Sequence, residues 1–119
     1  LARGVIENTV GAMKGAGRDL IAYLGPGIGP AAFEVGNDVR EAFLARDAAA
    51  AAAFRPHADG KWLADLYLLA RQSLKRSGVA EVHGGTLCTY SDARRFFSYR
   101  RERTTGRMAA LIWRKGDHV

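Results

Sequence analysis

The sequence is poor in the residues that build rigid centres. One residue of 119 is cysteine, so an internal disulfide and a four-thiolate metal centre are both excluded. A lone cysteine fits a reducing compartment, the cytoplasm, or a fold that does without disulfides. His57, His83 and His118 show no metal-ligand spacing with one another or with Cys88, and are read as loop or surface residues. No apolar run approaches the ~20 residues needed to cross a bilayer, and Leu1-Ala2-Arg3-Gly4 lack the apolar core of a signal peptide. The chain opens on leucine, which places the expected natural start upstream of Leu1. Large apolar side chains are also few. Hydrophobic residues make up 48% of the chain, but alanine supplies 21 of them and leaves 36, enough for one modest core and not two.

Negative charge is scarce at the end of the chain. Residues 1–93 carry ten basic and ten acidic side chains, while residues 94–119 carry eight basic ones against Glu102 and Asp117. The whole net charge of +6 therefore lies in the last quarter. Two readings compete: an anion-binding surface, and a solvated basic face.

Periodicity predicts helices alternating with strands, a mixed α and β class. Val5, Ile6, Thr9, Val10 and Met13 form one helical stripe over residues 4–14, closed by Gly15 and Gly17. A buried strand is expected over Asp19–Leu24, a Gly/Pro loop over Gly25–Pro30, and a brief strand over Phe33–Val35. Asn37 is the expected N-cap of a second helix that turns Val39, Ala42 and Phe43 inward. The Ala48–Ala53 run continues as helix or as a small-residue surface segment without chemistry, and Pro56–Gly60 breaks the chain. The clearest helix is predicted from Trp62 to Ser77, with Trp62, Leu66, Leu69 and Ser73 in line and Gly78 closing it. Strands are expected at Val79–His83 and, more briefly, at Leu87–Thr89. Ser91-Asp92 suit the start of a short helical turn before Phe96, and Arg107–Trp113 read as a terminal strand.

Several residues invite chemistry. A glycine-rich turn after a strand can present N–H groups to phosphate, but Pro26 and Pro30 each lack a donor and no Gly-Lys-Ser/Thr follows. A structural turn is the better reading of that loop. Cys88 would need a nearby cation or helix start to become a nucleophile, and is read as a buried, inert thiol. Asp65 sits beside the apolar stripe of the best helix and is read as an anchor to a loop or an arginine. The segment from Arg94 to Arg107 interleaves arginine with Phe96, Phe97 and Tyr99; taken alone it suggests a nucleotide or single-stranded nucleic acid.

Three blocks in order give a resemblance. They are Tyr23-Leu24-Gly25-Pro26-Gly27-Ile28-Gly29-Pro30 with Phe33-Glu34-Val35-Gly36; Cys88-Thr89-Tyr90; and Phe96-Phe97-Ser98-Tyr99-Arg100-Arg101 with Thr105-Gly106-Arg107-Met108-Ala109. With Gly60-Lys61-Trp62 and Asp65-Leu66 between them, the chain resembles the YfiH-type family, known both as laccase-like multicopper polyphenol oxidase and as purine nucleoside phosphorylase.

The resemblance implies an α+β fold of mixed β-sheets flanked by helices, with residues 1–119 as the C-terminal half of a single domain about twice this length. It implies a His-Cys-His set upstream of Leu1 that binds zinc (copper in the older description) and contains the catalytic groups, so no metal ligand or catalytic residue is assigned in this chain. Cys88 matches a different position, and Ala31 and Ala32 stand where some members carry cysteine. The implied reaction is phosphate-dependent cleavage of purine nucleosides such as adenosine and inosine, inactive in this half alone. Arg100, Arg101 and Arg107 become candidates for a substrate- or anion-binding wall, against the alternative of salt bridges that hold the turn to the core. The implied partners are a purine nucleoside, phosphate, and the missing half or a second copy; neither nucleic acid nor membrane is among them. Two rivals remain from the residues themselves, a nucleotide- or single-strand-binding module and a non-catalytic scaffold half.

Overall fold

The structure is a computed structural model that describes residues 1–13, 15 and 17–116. It is a mixed α/β arrangement with one parallel and one antiparallel sheet. In chain order the elements are helix α1 (Val5–Ala12), strands β1 (Ile21–Leu24) and β2 (Glu34–Gly36), helix α2 (Asn37–Leu44), a 3-10 helix (Ala48–Ala53), strands β3 (Phe54–Pro56) and β4 (Lys61–Ala64), helix α3 (Leu66–Arg76) and strand β5 (Glu81–Gly84).

β1 and β5 pair in parallel, Ile21 opposite Glu81 and Leu24 opposite Gly84. β2, β4 and β3 form an antiparallel sheet with β4 in the middle. The expected break at Pro56–Gly60 is the hairpin between β3 and β4, with Lys61 N–H donating to Ala58 O and Gly60 at φ 67°. That positive φ is where glycine is needed.

The helix predicted from Trp62 starts four residues later. Lys61–Ala64 form the central strand of the antiparallel sheet, in register with both β2 and β3. Asp65 then caps α3, its carboxylate accepting from Leu68 N–H at 3.0 Å. Trp62 happens to fall in phase with the stripe of α3, and its indole instead donates to Asn37 Oδ1 under the Arg40 guanidinium. Asn37 is likewise inside its helix; Gly36 occupies the cap position and the Asn37 amide bonds Glu41.

The core lies where α3, the 3-10 helix and the antiparallel sheet meet: Val35, Ala50, Ala53, Phe54, Ala64 and Leu69 are buried together. The alanine run is therefore partly core rather than surface. Residues three apart eclipse in a 3-10 helix, so Ala50 and Ala53 face inward together while the other four alanines stay exposed. Phe43 packs its ring 5.9 Å from that of Phe54.

α1 forms as expected, but none of its residues is buried; Val5 and Met13 are 58% and 50% exposed. Arg76 at the end of α3 ties it down, pairing with Glu7 of α1 at 3.1 Å and with Asp47 at 2.7 Å. The terminal strand expected at Arg107–Trp113 is absent: residues 105–116 have no regular structure. A strand needs partners for its backbone groups, and among the described residues no backbone group of 105–116 hydrogen-bonds to another.

Candidate functional site

The Gly/Pro loop after β1 is held from within. Gly27 N–H donates to the Tyr67 hydroxyl of α3 at 2.8 Å, and that hydroxyl donates to Leu87 O at 2.6 Å. Gly27 also bridges in parallel to Cys88, and Thr89 N–H donates to Gly27 O. Gly29 N–H donates to Cys88 Sγ at 3.2 Å. A Cβ on Gly29 would lie 3.1 Å from Cys88 Cβ, so the close approach explains the glycine. The two amides an anion cradle would use thus face inward, in keeping with a structural turn.

Cys88 is half-buried rather than fully enclosed. Burial pushes its thiol up, but hydrogen bonds from the Ser91 hydroxyl and from the N–H groups of Ser91, Gly29 and Tyr90 outweigh it. The net effect holds the thiol below its ordinary value.

The arginine-rich segment is built by two guanidinium groups. Arg101 donates to Thr89 O at 2.7 Å, Tyr90 O at 2.9 Å and Phe96 O at 2.7 Å, with 19% of its side chain exposed. It stitches the Cys88-Thr89-Tyr90 block to the Phe96 turn, replacing a ladder that irregular backbone cannot form. Arg100 reaches the other way. It donates to Glu34 O at 2.7 Å and lies 5.1 Å over the Phe33 ring. The Ser91-Asp92 turn is present, with Phe96 N–H donating to Asp92 O and the Arg95 guanidinium on the Asp92 carboxylate.

The three sequence blocks, up to 66 residues apart at the Arg100–Glu34 bond, therefore converge. Their meeting point is a cleft of about 460 Å³ walled by Ala31, Ala32, Glu34, His57, Tyr90 and Arg100. Glu34 and His57 face each other there at 3.4 Å, both about half exposed. Arg100 is thus at the cleft, Arg101 behind it, and Arg107 away from it. Arg107 lines a second cleft of about 390 Å³ with Phe97, Tyr99 and Arg103. Sequence reasoning named Arg100 but missed His57, which reads as an ordinary turn residue; only the β3–β4 hairpin brings it to Glu34.

Neither zinc nor copper fits this donor set. Among the described residues no three His, Cys, Asp or Glu side chains gather. His57 has Glu34, His83 has Glu81 at 3.1 Å, and His118 lies outside the described residues. Two donors do not make the three or four ligands that such ions take.

A mixed α/β chain whose loops gather an arginine, a histidine and a carboxylate at one cleft defines a class, and comparison supplies the family. The model of the multi-copper polyphenol oxidoreductase laccase family matches residues 1–115, and the chain belongs to that family. Among its relatives, the purine nucleoside phosphorylase YfiH of Escherichia coli is 56% identical over 113 residues, covering 95% of this chain and 46% of the relative. A purine nucleoside phosphorylase of Pseudomonas aeruginosa is 54% identical over 114 residues, covering 95% and 47%. In structure, a Neisseria meningitidis protein superposes with a TM-score of 0.82 at 53% identity, over 85% of this chain and 42% of that one. The chain spans about half the length of the curated relatives it matches.

Proposed function

We propose that this chain is the C-terminal half of a single-domain purine nucleoside phosphorylase, and that the Arg100 cleft contributes the anion-facing wall of its active site. The names of the relatives support the enzyme class. The observation that carries the reading is the convergence of Glu34, Tyr90 and Arg100, one residue from each of the three sequence blocks, on one cleft.

In phosphorolysis a phosphate oxygen attacks C1′ of the ribose as the glycosidic C–N bond breaks, and the purine departs with the bonding pair. Negative charge must be held at the phosphate, and the leaving base must gain a proton. Arg100 is suited to the first task, with donors beyond the one on Glu34 O. His57, 3.4 Å from Glu34, adds a polar side chain to the same cleft. Arg101 acts as a positioning residue, because its donors already serve three carbonyls. Substrates are purine nucleosides such as adenosine and inosine, in the cytoplasm, and the zinc of the full-length enzyme belongs to ligands outside this chain.

The test is phosphate-dependent release of base from inosine by the full-length gene product and by residues 1–119. The full-length protein is expected to be active and the isolated half inactive. Arg100→Gln in the full-length protein is expected to raise KM for phosphate roughly ten- to a hundredfold, the worth of a charge-assisted hydrogen bond. Turnover by residues 1–119 alone overturns the placement of the active site.

A second reading rests on the cleft of Phe97, Tyr99, Arg103 and Arg107, where two exposed aromatics stand beside two arginines. Such a surface suits a nucleotide or single-stranded nucleic acid, by stacking and phosphate contact. Binding of that kind weakens steeply with salt, and a flat titration at low salt removes it.

A further inference from the structure

The segment 107–116 is the least accounted-for part of the molecule. Leu111, Ile112 and Trp113 are 83%, 76% and 80% exposed, and Met108 47%. Among the described residues, no backbone group from 103 to 116 hydrogen-bonds to another. An apolar run with a β-branched and an aromatic residue, extended and unpaired, has the makings of a strand without its sheet.

The arm does not stand alone. It leaves past the end of β1, where Ala110 Cβ approaches within 3.3 Å of the place a Cβ on Gly25 would take. A groove of about 290 Å³ runs beside residues 20–24, closed by Val5 and Val10 of α1 and by Met13 at its C-terminal end. β1 has β5 on one edge only, and Ile21 and Tyr23 are 64% and 62% exposed. The arm thus passes the end of β1 at Gly25, and arm and β1 edge both expose apolar side chains.

We propose that the arm is a β-strand donated to the part of the polypeptide that the relatives carry and this chain does not span. This rests on the reading of the chain as half of a longer enzyme. The occupant is argued on two grounds. The matched region accounts for only 46% of the Escherichia coli relative, so more than half of that polypeptide remains to cover the face. The charges of the arm also disfavour a second copy. Its apolar run is flanked by Arg107 on one side and Arg114-Lys115 on the other. Antiparallel self-pairing centred on Leu111 sets Arg107 of one copy against Lys115 of the other, and like charges directly opposite are destabilising.

The experiment co-expresses residues 1–119 with the unmatched part of the Escherichia coli relative and follows backbone hydrogen exchange and co-purification. Exchange at 108–113 is expected to slow at least a hundredfold in the complex and to remain fast in residues 1–119 alone. Ile112→Pro removes a strand donor and is expected to cut co-purification at least tenfold, while Ile112→Val leaves it unchanged. Because no backbone group of the arm hydrogen-bonds to another among the described residues, both variants should melt as the parent does. A complex that forms with the arm still exchanging freely overturns the proposal and leaves the half-enzyme reading standing. No complex at all overturns both. Protection of the arm in residues 1–119 alone, rising with concentration, assigns the arm to a second copy and overturns the proposal too.

Discussion

Tyr67 and Gly27, forty residues apart, share a hydrogen bond that joins the first turn of α3 to the Gly/Pro loop: the glycine N–H donates to the phenol at 2.8 Å. The same phenol donates onward to Leu87 O, so one oxygen fixes two loops. Tyr67→Phe removes it and orphans a donor and an acceptor, at an expected cost of about 1–3 kcal/mol. Urea titration measures this, and an unchanged midpoint shows that the hydroxyl holds nothing.

The neighbouring arginines are expected to separate. Arg101→Gln leaves the carbonyls of Thr89, Tyr90 and Phe96 without their charged donor and should destabilise by about 1.5–3 kcal/mol. Arg100→Gln, on an exposed side chain, should cost under about 1 kcal/mol while affecting phosphate. Thermal denaturation of both variants checks the order; equal losses would put Arg100 in the same structural role.

Acid should loosen the α1–α3 contact. For Glu7, burial pushes the carboxyl up, but its own backbone N–H, Ser73 and Arg76 together hold it below its ordinary value. For Asp47, the Ala49 N–H acts first and Arg76 adds to it. Carboxylates depressed on folding contribute stability that is present above the ordinary carboxylate range and lost as pH falls through the lowered values. Stability should therefore fall from about pH 4.5 downward, and less steeply in Arg76→Gln. Denaturation curves at stepped pH measure the slope, and parallel slopes in parent and variant contradict the assignment.

Asp65→Ala removes the cap of α3 and should cost about 1 kcal/mol, with Asp65→Asn largely sparing it. Circular dichroism melts decide this. Equal losses would make charge, not capping, the reason for the aspartate.

Much of this fold is legible in the sequence where local rules operate. The Gly/Pro loop, the break at Pro56–Gly60 and the body of α3 follow from turn chemistry and periodicity. The β4 strand was hidden because Trp62 shares the phase of the α3 stripe, and only pairing with β2 and β3 distinguishes strand from helix there. The terminal strand was expected because Leu111-Ile112-Trp113 favour strands, yet propensity cannot supply a partner. At the cleft, Arg100 is a candidate together with Arg101 and Arg107, and only the fold separates the three. His57 is not a candidate, because its position depends on a hairpin register that no local pattern encodes.

The alanine run has a consequence for how this chain can change. Six identical residues look interchangeable, yet only Ala50 and Ala53 meet the core. A 3-10 helix turns about 120° per residue. Losing or gaining one alanine, the commonest slip in a repetitive stretch, alters composition almost not at all. It would nonetheless rotate Phe54 and all of β3 away from the β4 register. The run works as a ruler whose length matters more than its letters.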